Sequence, residues 1–444
     1  TEGTTFVDDN INPNLTITPV TASDAFATAD DYPAVVSMFQ QRLLFGASGS
    51  EPETVLGSRI GAFENFTRSR IIQGTDRLEV VLTGPVLNTI RAFLPLRELL
   101  VFTAASEFSV IGPNGGLPAD NPVQTQFGFS GCTSAVDPLV IEDTALFVDR
   151  SGRNVRDLRY AFEQDGYSGN DLTIFSSHYF EGRQIVAWDY AKDPFSIVWT
   201  ALDDGTLLSL TYKREHQVWA WTEHDLGGDV EDIVVVPESG IDRVYFIVKR
   251  TINGQEKRYV ERLRSRDFTV AEDAYFVDCG LTYDGAAATT ISGLDHLEGE
   301  AVTALADGSV VQGLTVSSGQ VTLPLAASKV HVGLPFVAEF QTLPPAIDLR
   351  DLGSSRGRKH KISKMRAQVE KTRGVKVAGE NRKFAEIVQT GRDLAEPISL
   401  ETGMIDATLY ADWNNEGGAW FRQDYPLPMT ILGLSPELTI GRPD

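Results

Sequence analysis

Six histidines, His178, His216, His224, His296, His331 and His360, are the first residues to test for chemistry, because an imidazole can bind a metal or move a proton near neutral pH. Their spacing supports neither role. His216 and His224 share the parity of one extended run, yet eight residues of strand span about 26 Å, too far for one metal ion. Cys132 and Cys279 are far apart and match no metal-ligand spacing. They predict two free, buried thiols in a protein made in a reducing cytosol. Glu223, Asp225, Asp229, Glu231 and Asp232, with Gly227 and Gly228 among them, lack the ordered spacing of a calcium loop and read as a solvated acidic loop. Asp203, Asp204 and Gly205 read as a hairpin turn, and no two carboxylates take acid and nucleophile roles by their spacing. No catalytic, metal or cofactor residue is therefore assigned, and the chain is expected not to be an enzyme.

Charge gives a clearer signal. The 444 residues hold 39 Lys and Arg against 61 Asp and Glu, a formal charge of −22, which disfavours sequence-independent binding to a nucleic-acid backbone over most of the surface. Within 349–392 the balance reverses: thirteen Lys or Arg face four Asp or Glu, a local +9 that leaves −31 on the rest. Arg356, Arg358, Lys359, Lys361, Lys364 and Arg366 concentrate it, and no aromatics interleave with them to stack on bases. Three roles are open to this strip: a solvated face, a contact with the acidic body of a neighbouring chain, or direct contact with DNA. An acidic body and a basic strip on one chain are complementary and favour head-to-tail assembly into a closed ring, so the six cations are assigned to contacts between subunits.

The elements that carry these residues read as strands. Apolar cores around Leu44, Leu100, Leu146, Val198 and Tyr245 recur about every fifty residues, the length of one propeller blade, and Asn253-Gly254 is the strongest hairpin signal. The fold class is all-β: a β-propeller core over 32–277, preceded by an amino-terminal arm over 1–31. Residues 278–341 change character, with short strands, an Asp307-Gly308 turn and a Ser318-Gly319 turn, and predict a small inserted β-barrel or sandwich. Residues 342–444 are expected to hold a basic hairpin, 365–370 against Val375 to Ala378 across Arg373-Gly374, and strands that close the propeller. The one short helical pattern spans 157–164. No run approaches the roughly 18 apolar residues of a membrane span, and the acidic, polar 1–31 has no signal-peptide pattern, which predicts a soluble protein. Its start at Thr1 without Met implies that an upstream segment is absent.

One stretch adds a resemblance. Tyr32-Pro33, Phe39, Gln41-Arg42-Leu43, Phe45, Pro52, Thr54, Gly57-Ser58, Gly61 and Glu64-Asn65-Phe66 fall in a pattern similar to that opening the propeller core of tail nozzle proteins (tail tubular protein B) of short-tailed bacteriophages. Ala34 and Leu56 stand where that pattern has Arg and Trp. Residues 278–336 also resemble the small β-domain inserted in phage tail proteins, whose label borrows from ubiquitin-activating enzymes without their chemistry. The resemblance implies a virion protein made in the host cytoplasm. It implies a ring, taken as a hexamer, that forms the distal DNA-ejection conduit, and the charge split predicts a net-negative channel face for that ring with the basic strip kept mostly off it. Its partners would be tail adaptor or gatekeeper proteins, tail fibres and genomic DNA passing without specific binding. A carbohydrate-binding or glycan-hydrolysing propeller is the alternative.

Overall fold

The computed structural model describes residues 26–128, 130–349, 353–355, 358–387, 399–410, 412–414 and 417–441; most of the expected amino-terminal arm and Arg356 lie outside them. The chain forms two compact units, Thr1–Ile185 and Val186–Asp444.

In the first unit, three sheets follow one another as antiparallel up-and-down meanders. The first pairs Val35–Phe39, Arg42–Gly46, Thr54–Gly57 and Leu78–Val81 in that order; the second pairs Ile90–Pro95, Leu99–Thr103, Glu107–Ile111 and Val123–Gly128. The third contains Leu139–Ile141, Thr144–Val148, Val155–Ala161 and Gly166–Ser168. One face of the second sheet packs Phe93, Leu99, Val101 and Phe108 against Leu44, Val55 and Leu78 of the first. Its other face packs Leu94, Leu100 and Phe102 against Ala145, Phe147 and Leu158 of the third. With both faces covered, Leu99–Thr103 is buried at every residue, as a continuous apolar run requires.

The second unit, from Val186 on, holds a fourth meander, Ile185–Ala191 (whose first residue closes the first unit), Ile197–Leu202, Leu207–Lys213 and Val218–His224. A fifth has three strands, Asp229–Glu238, Ile241–Ile252 and Gln255–Arg262. Trp199, Leu207, Val230, Phe246 and Val248 form the core between these two sheets. The fold is thus all-β with a core of propeller blades. The repeat centres Leu44, Leu100, Leu146, Val198 and Tyr245 each fall on the second strand of a meander. Asn253-Gly254 turns with both residues at positive φ, 49° and 72°, which suits a two-residue hairpin.

Asp278–Ser292, Ala301–Ala306, Ser309–Thr315 and Gln320–Leu334 form one four-stranded sheet whose core includes Ile252 and touches Tyr259 of the preceding hairpin. Beyond it two sheets face each other. One holds Ala338–Gln341, Trp420–Gln423, Lys376–Ala378 and Ala385–Glu386; the other has His360–Thr372 between Glu401–Thr408 and Ile431–Ile440. Met365, Ala367 and Val369 meet Val377, Ala419 and Phe421 in their shared core.

Two expectations are corrected here, and the short helical pattern is resolved. The alternation over 365–370 is a strand, but its partners are Glu401–Thr408 and Ile431–Ile440, whereas Lys376–Ala378 turns away to pair with Trp420–Gln423. Residues 372–375 therefore link two sheets, and no basic hairpin forms. The tail strands pair with these partners and not with any strand of the five meanders among the described residues, so they do not close the propeller by strand pairing. The helical pattern over 157–164 is the end of strand Val155–Ala161 followed by a single 3-10 turn, Phe162–Gln164, because Gly166 resumes the sheet.

Candidate interaction surface

The motif stretch proves to be architectural at its centre. Arg42 is fully buried and donates from Nε to the Leu117 carbonyl at 3.1 Å, from Nη1 to those of Ser58 at 2.5 Å and Asp76 at 2.6 Å, and from Nη2 to that of Gly74 at 2.5 Å. Burial pulls its pKa below the usual arginine value while the Asp76 charge opposes that shift. Asp76 in turn accepts from the Gln73 and Ser69 amides and the Ser69 hydroxyl, with Arg59 at 3.1 Å, and these contacts hold its carboxyl below the usual range. A guanidinium surrounded by main-chain carbonyls fixes loops. It does not reach a substrate.

The basic strip is carried on the strand His360–Thr372. His360, Ile362, Met365, Ala367 and Val369 point inward, and a bulge between Ile362 and Lys364 keeps Lys361, Lys364 and Arg366 on the outer side. Lys364 Nζ lies 2.5 Å and Arg366 Nε 3.4 Å from the Asp406 carboxylate, which the Lys364 contact above all holds below its ordinary pKa. Two of the six candidate cations thus share one acid on the adjacent strand. Lys359 is exposed, Lys361 and Arg358 are half-buried, and His360 is locked between them by ring contacts with the carbonyls of Arg358 at 3.1 Å and Gly417 at 2.9 Å.

Four further cations of the window, Lys371, Arg373, Lys376 and Arg382, bind within the chain. Lys376 pairs with Asp424 at 2.6 Å and sits 4.2 Å over the Tyr425 ring. Arg382 and Arg422 both grip Glu339 while stacking on Trp420 at 4.3 Å and Phe384 at 4.0 Å. Lys371 Nζ donates to the Phe268 carbonyl and Arg373 Nη1 to that of Gly308. Cations interleaved with aromatics do occur here, but Trp420, Tyr425 and the acids Glu339 and Asp424 all come from outside the window, beyond any local reading of it.

Four of the six histidines, His224, His296, His331 and His360, hold neighbouring elements in place. His224 Nε2 lies 2.7 Å from the Ser209 hydroxyl, and burial takes its pKa down to about 4, leaving it a neutral partner. His331 lies between the Thr282 hydroxyl and the Glu272 carbonyl, and His296 contacts the Cys279 carbonyl. The acidic stretch is similarly used: Asp229 pairs with Lys249, Glu231 with Arg258, and Asp225 caps Gly227. Among the described residues no group of three metal-type ligands converges. Cys132 and Cys279 are both free, the first buried and the second half-buried; burial pushes each thiol up to about 12, where it is unreactive.

Sequence reading missed the buried carboxyl of Glu107 and the half-buried one of Asp278. Glu107 accepts from the Ser130 and Gly131 amides, and burial raises its pKa. Asp278 lies near the buried Arg250, which forms a bidentate pair with Glu261 at 2.6 and 2.8 Å; burial lifts Asp278 to about 7 against the Arg250 charge. Only contacts across the sequence bring these groups together.

No family model and no curated protein matches the chain. Among solved structures it is similar to a luciferin-regenerating enzyme, at 11% identity over 47% of this chain and 80% of that one, with a TM-score of 0.22. It is also similar to the WD40 domain of SCAP from fission yeast, at 11% identity over 54% of this chain and 56% of that one, with a TM-score of 0.24. The fold assignment rests on the sheet topology itself.

Proposed function

We propose that this chain is a structural virion protein, a subunit of a ring-shaped, hexameric tail nozzle that extends the DNA-ejection conduit of a short-tailed phage. The observation that carries this reading is the 32–66 pattern, whose Gln41-Arg42-Leu43 and Gly57-Ser58 elements build the turn and hub of the first blade. The charge division supports it. A conduit lined with Lys and Arg would neutralise phosphates, and 6–10 such contacts change DNA affinity by about 10³–10⁵ between low and moderate salt. An acidic wall gives passing DNA no such hold, and repulsion from it is screened within about 8 Å. Lys359 and Lys361, which do not share the Asp406 contact of Lys364 and Arg366, are then available to the acidic body of a neighbour.

The test is charge reversal of Arg356, Arg358, Lys359 and Lys361 to Glu, read by native mass measurement and by tail assembly. Assembly should fail in a salt-sensitive way. Normal assembly with loss of DNA delivery alone would place the strip in the channel, and a wild-type chain that never forms a ring or a tail complex would end the nozzle reading.

A further inference from the structure

In each of the first four meanders the third strand is flanked by a fourth: Thr54–Gly57 by Leu78–Val81, Glu107–Ile111 by Val123–Gly128, Val155–Ala161 by Gly166–Ser168, and Leu207–Lys213 by Val218–His224. In the fifth, Gln255–Arg262 has no strand on its outer side among the described residues. We propose that this bare edge pairs, antiparallel and about a two-fold axis, with the same strand of a second copy of this chain.

Backbone geometry limits how such a pair could form. The Asn253-Gly254 turn makes Ile252 and Gln255 a hydrogen-bonded pair, so alternate residues from 255 point their amide and carbonyl toward Ile241–Ile252. The Leu263 amide donating to the Val244 carbonyl at 2.9 Å keeps the same phase. Glu256, Arg258, Val260 and Arg262 therefore present their main-chain groups to the open side. A self-pairing must join these even-numbered residues to one another, so an even-numbered residue cannot face an odd-numbered one. Three registers with large overlap survive, centred on Arg258, Tyr259 or Val260.

Charge selects among them. Centring on Arg258 opposes two arginines across the axis, and centring on Val260 sets Arg258 against Arg262 of the other copy. Centring on Tyr259 sets Glu256 against Arg262 and Lys257 against Glu261, each pair occurring twice by symmetry, with Tyr259 facing its own copy at the axis. About that tyrosine the charges of EKRYVER are of opposite sign at Glu256/Arg262 and Lys257/Glu261, giving four opposite-charge pairs and no like-charge pair. This register forms about eight main-chain hydrogen bonds. It also sets Arg258, whose guanidinium is held by Glu231 of its own chain, opposite Val260 of the other copy, which is 75% exposed in the single chain. Lysine and arginine on a free edge ordinarily repel unrelated strands; in this register they exclude other partners and admit the chain's own copy. A two-fold contact differs from the head-to-tail contacts of a ring, so the inference stands apart from the nozzle reading.

Glu256 and Arg262 are exposed, Arg262 making a surface ion pair with Glu238 of its own chain at 3.5 Å, whereas Glu261 holds the buried Arg250, so the test uses the first two. Sedimentation of the full chain should show a reversible doubling of mass, whatever assembly it starts from. Glu256→Arg and Arg262→Glu should each weaken that step roughly tenfold or more, since each sets like charges opposite one another at both ends of the pairing. Mixing the two variants should restore it in a heterodimer. There the arginine introduced by Glu256→Arg meets the glutamate introduced by Arg262→Glu, and at the other end the unchanged Arg262 of the first variant meets the unchanged Glu256 of the second. The double variant should pair with itself. The inference is overturned if the wild type shows no doubling, if either single variant associates as the wild type does, or if the mixture stays unpaired. A ring that forms normally while these variants behave alike would reject the edge pairing and leave the ring reading intact.

Discussion

The second and fifth meanders share an up-and-down topology and differ in almost everything their residues do. In the second, Leu99–Thr103 is closed in by a sheet on each face and by a strand on each side. In the fifth, Val230, Ile233, Phe246 and Val248 face a core, while Val234 and Val260 on the other face stay 49% and 75% exposed. The residue pattern follows the number of covered faces. LLVFT has no polar residue before its final threonine, and QEKRYVER has charges at five of eight positions. Strand identity alone does not predict how much stability a strand contributes; the layers around it do.

The comparison can be broken most forcefully at Phe102, buried between the second and third sheets with its ring 4.9 Å from that of Phe147. Phe102→Ala should destabilise the first unit by about 3–5 kcal/mol, seen as a lowered denaturant midpoint. A loss under about 1 kcal/mol would mean that the second sheet is not the centre of that core.

A smaller, pH-dependent effect belongs to Asp278, beside the fifth sheet's Arg250. Burial raises its folded pKa to about 7 from an unfolded value near 3.8, so the folded chain holds this proton more tightly than the unfolded one. The stabilisation is complete at low pH, declines as pH rises from about 4 and is gone above about 7. Asp278→Asn should flatten that decline, with a melting temperature above the wild type at pH 8 that converges on it only below about pH 4. A parallel pair of pH curves would refute the assignment.

The smallest change is expected at Val260. Val260→Thr should alter the stability of the single chain by no more than about 0.5 kcal/mol, in contrast to Phe102→Ala. A large loss would show that the outer face of the fifth sheet is covered within one chain.

Much of the architecture was legible because its signals are local. Apolar cores recurring about every fifty residues located the second strand of every meander, and Asn253-Gly254, Asp307-Gly308 and Ser318-Gly319 all turn at positive φ. The first hairpin is less readable, since Gln40 and Gln41 take positive φ, 46° and 60°, without a glycine. What holds them is distant: the Gln40 side chain donates to the Gly115 carbonyl, and the Gln41 carbonyl accepts from the Gly61 amide. The carboxy-terminal pairing failed for the same reason. A turn at Arg373-Gly374 suggested neighbours in sequence, whereas the burial of Met365, Ala367 and Val369 selects strands 30 to 80 residues further on. Of the candidate surface, the cations were legible, but the acids that pair with many of them were not, because Glu339, Asp406 and Asp424 lie on or beside other strands.

Arg42 also imposes an order of events during synthesis. Its last acceptor, the Leu117 carbonyl, is made 75 residues after it. At about 5–20 residues per second, a ribosome needs roughly 4–15 s to add them. Throughout that interval the guanidinium has no complete set of carbonyls to replace its water, so the first blade cannot close by itself. It is finished only when the chain beyond the third strand of the second blade has emerged, which makes the pair, and not the single blade, the smallest piece that can mature behind the ribosome.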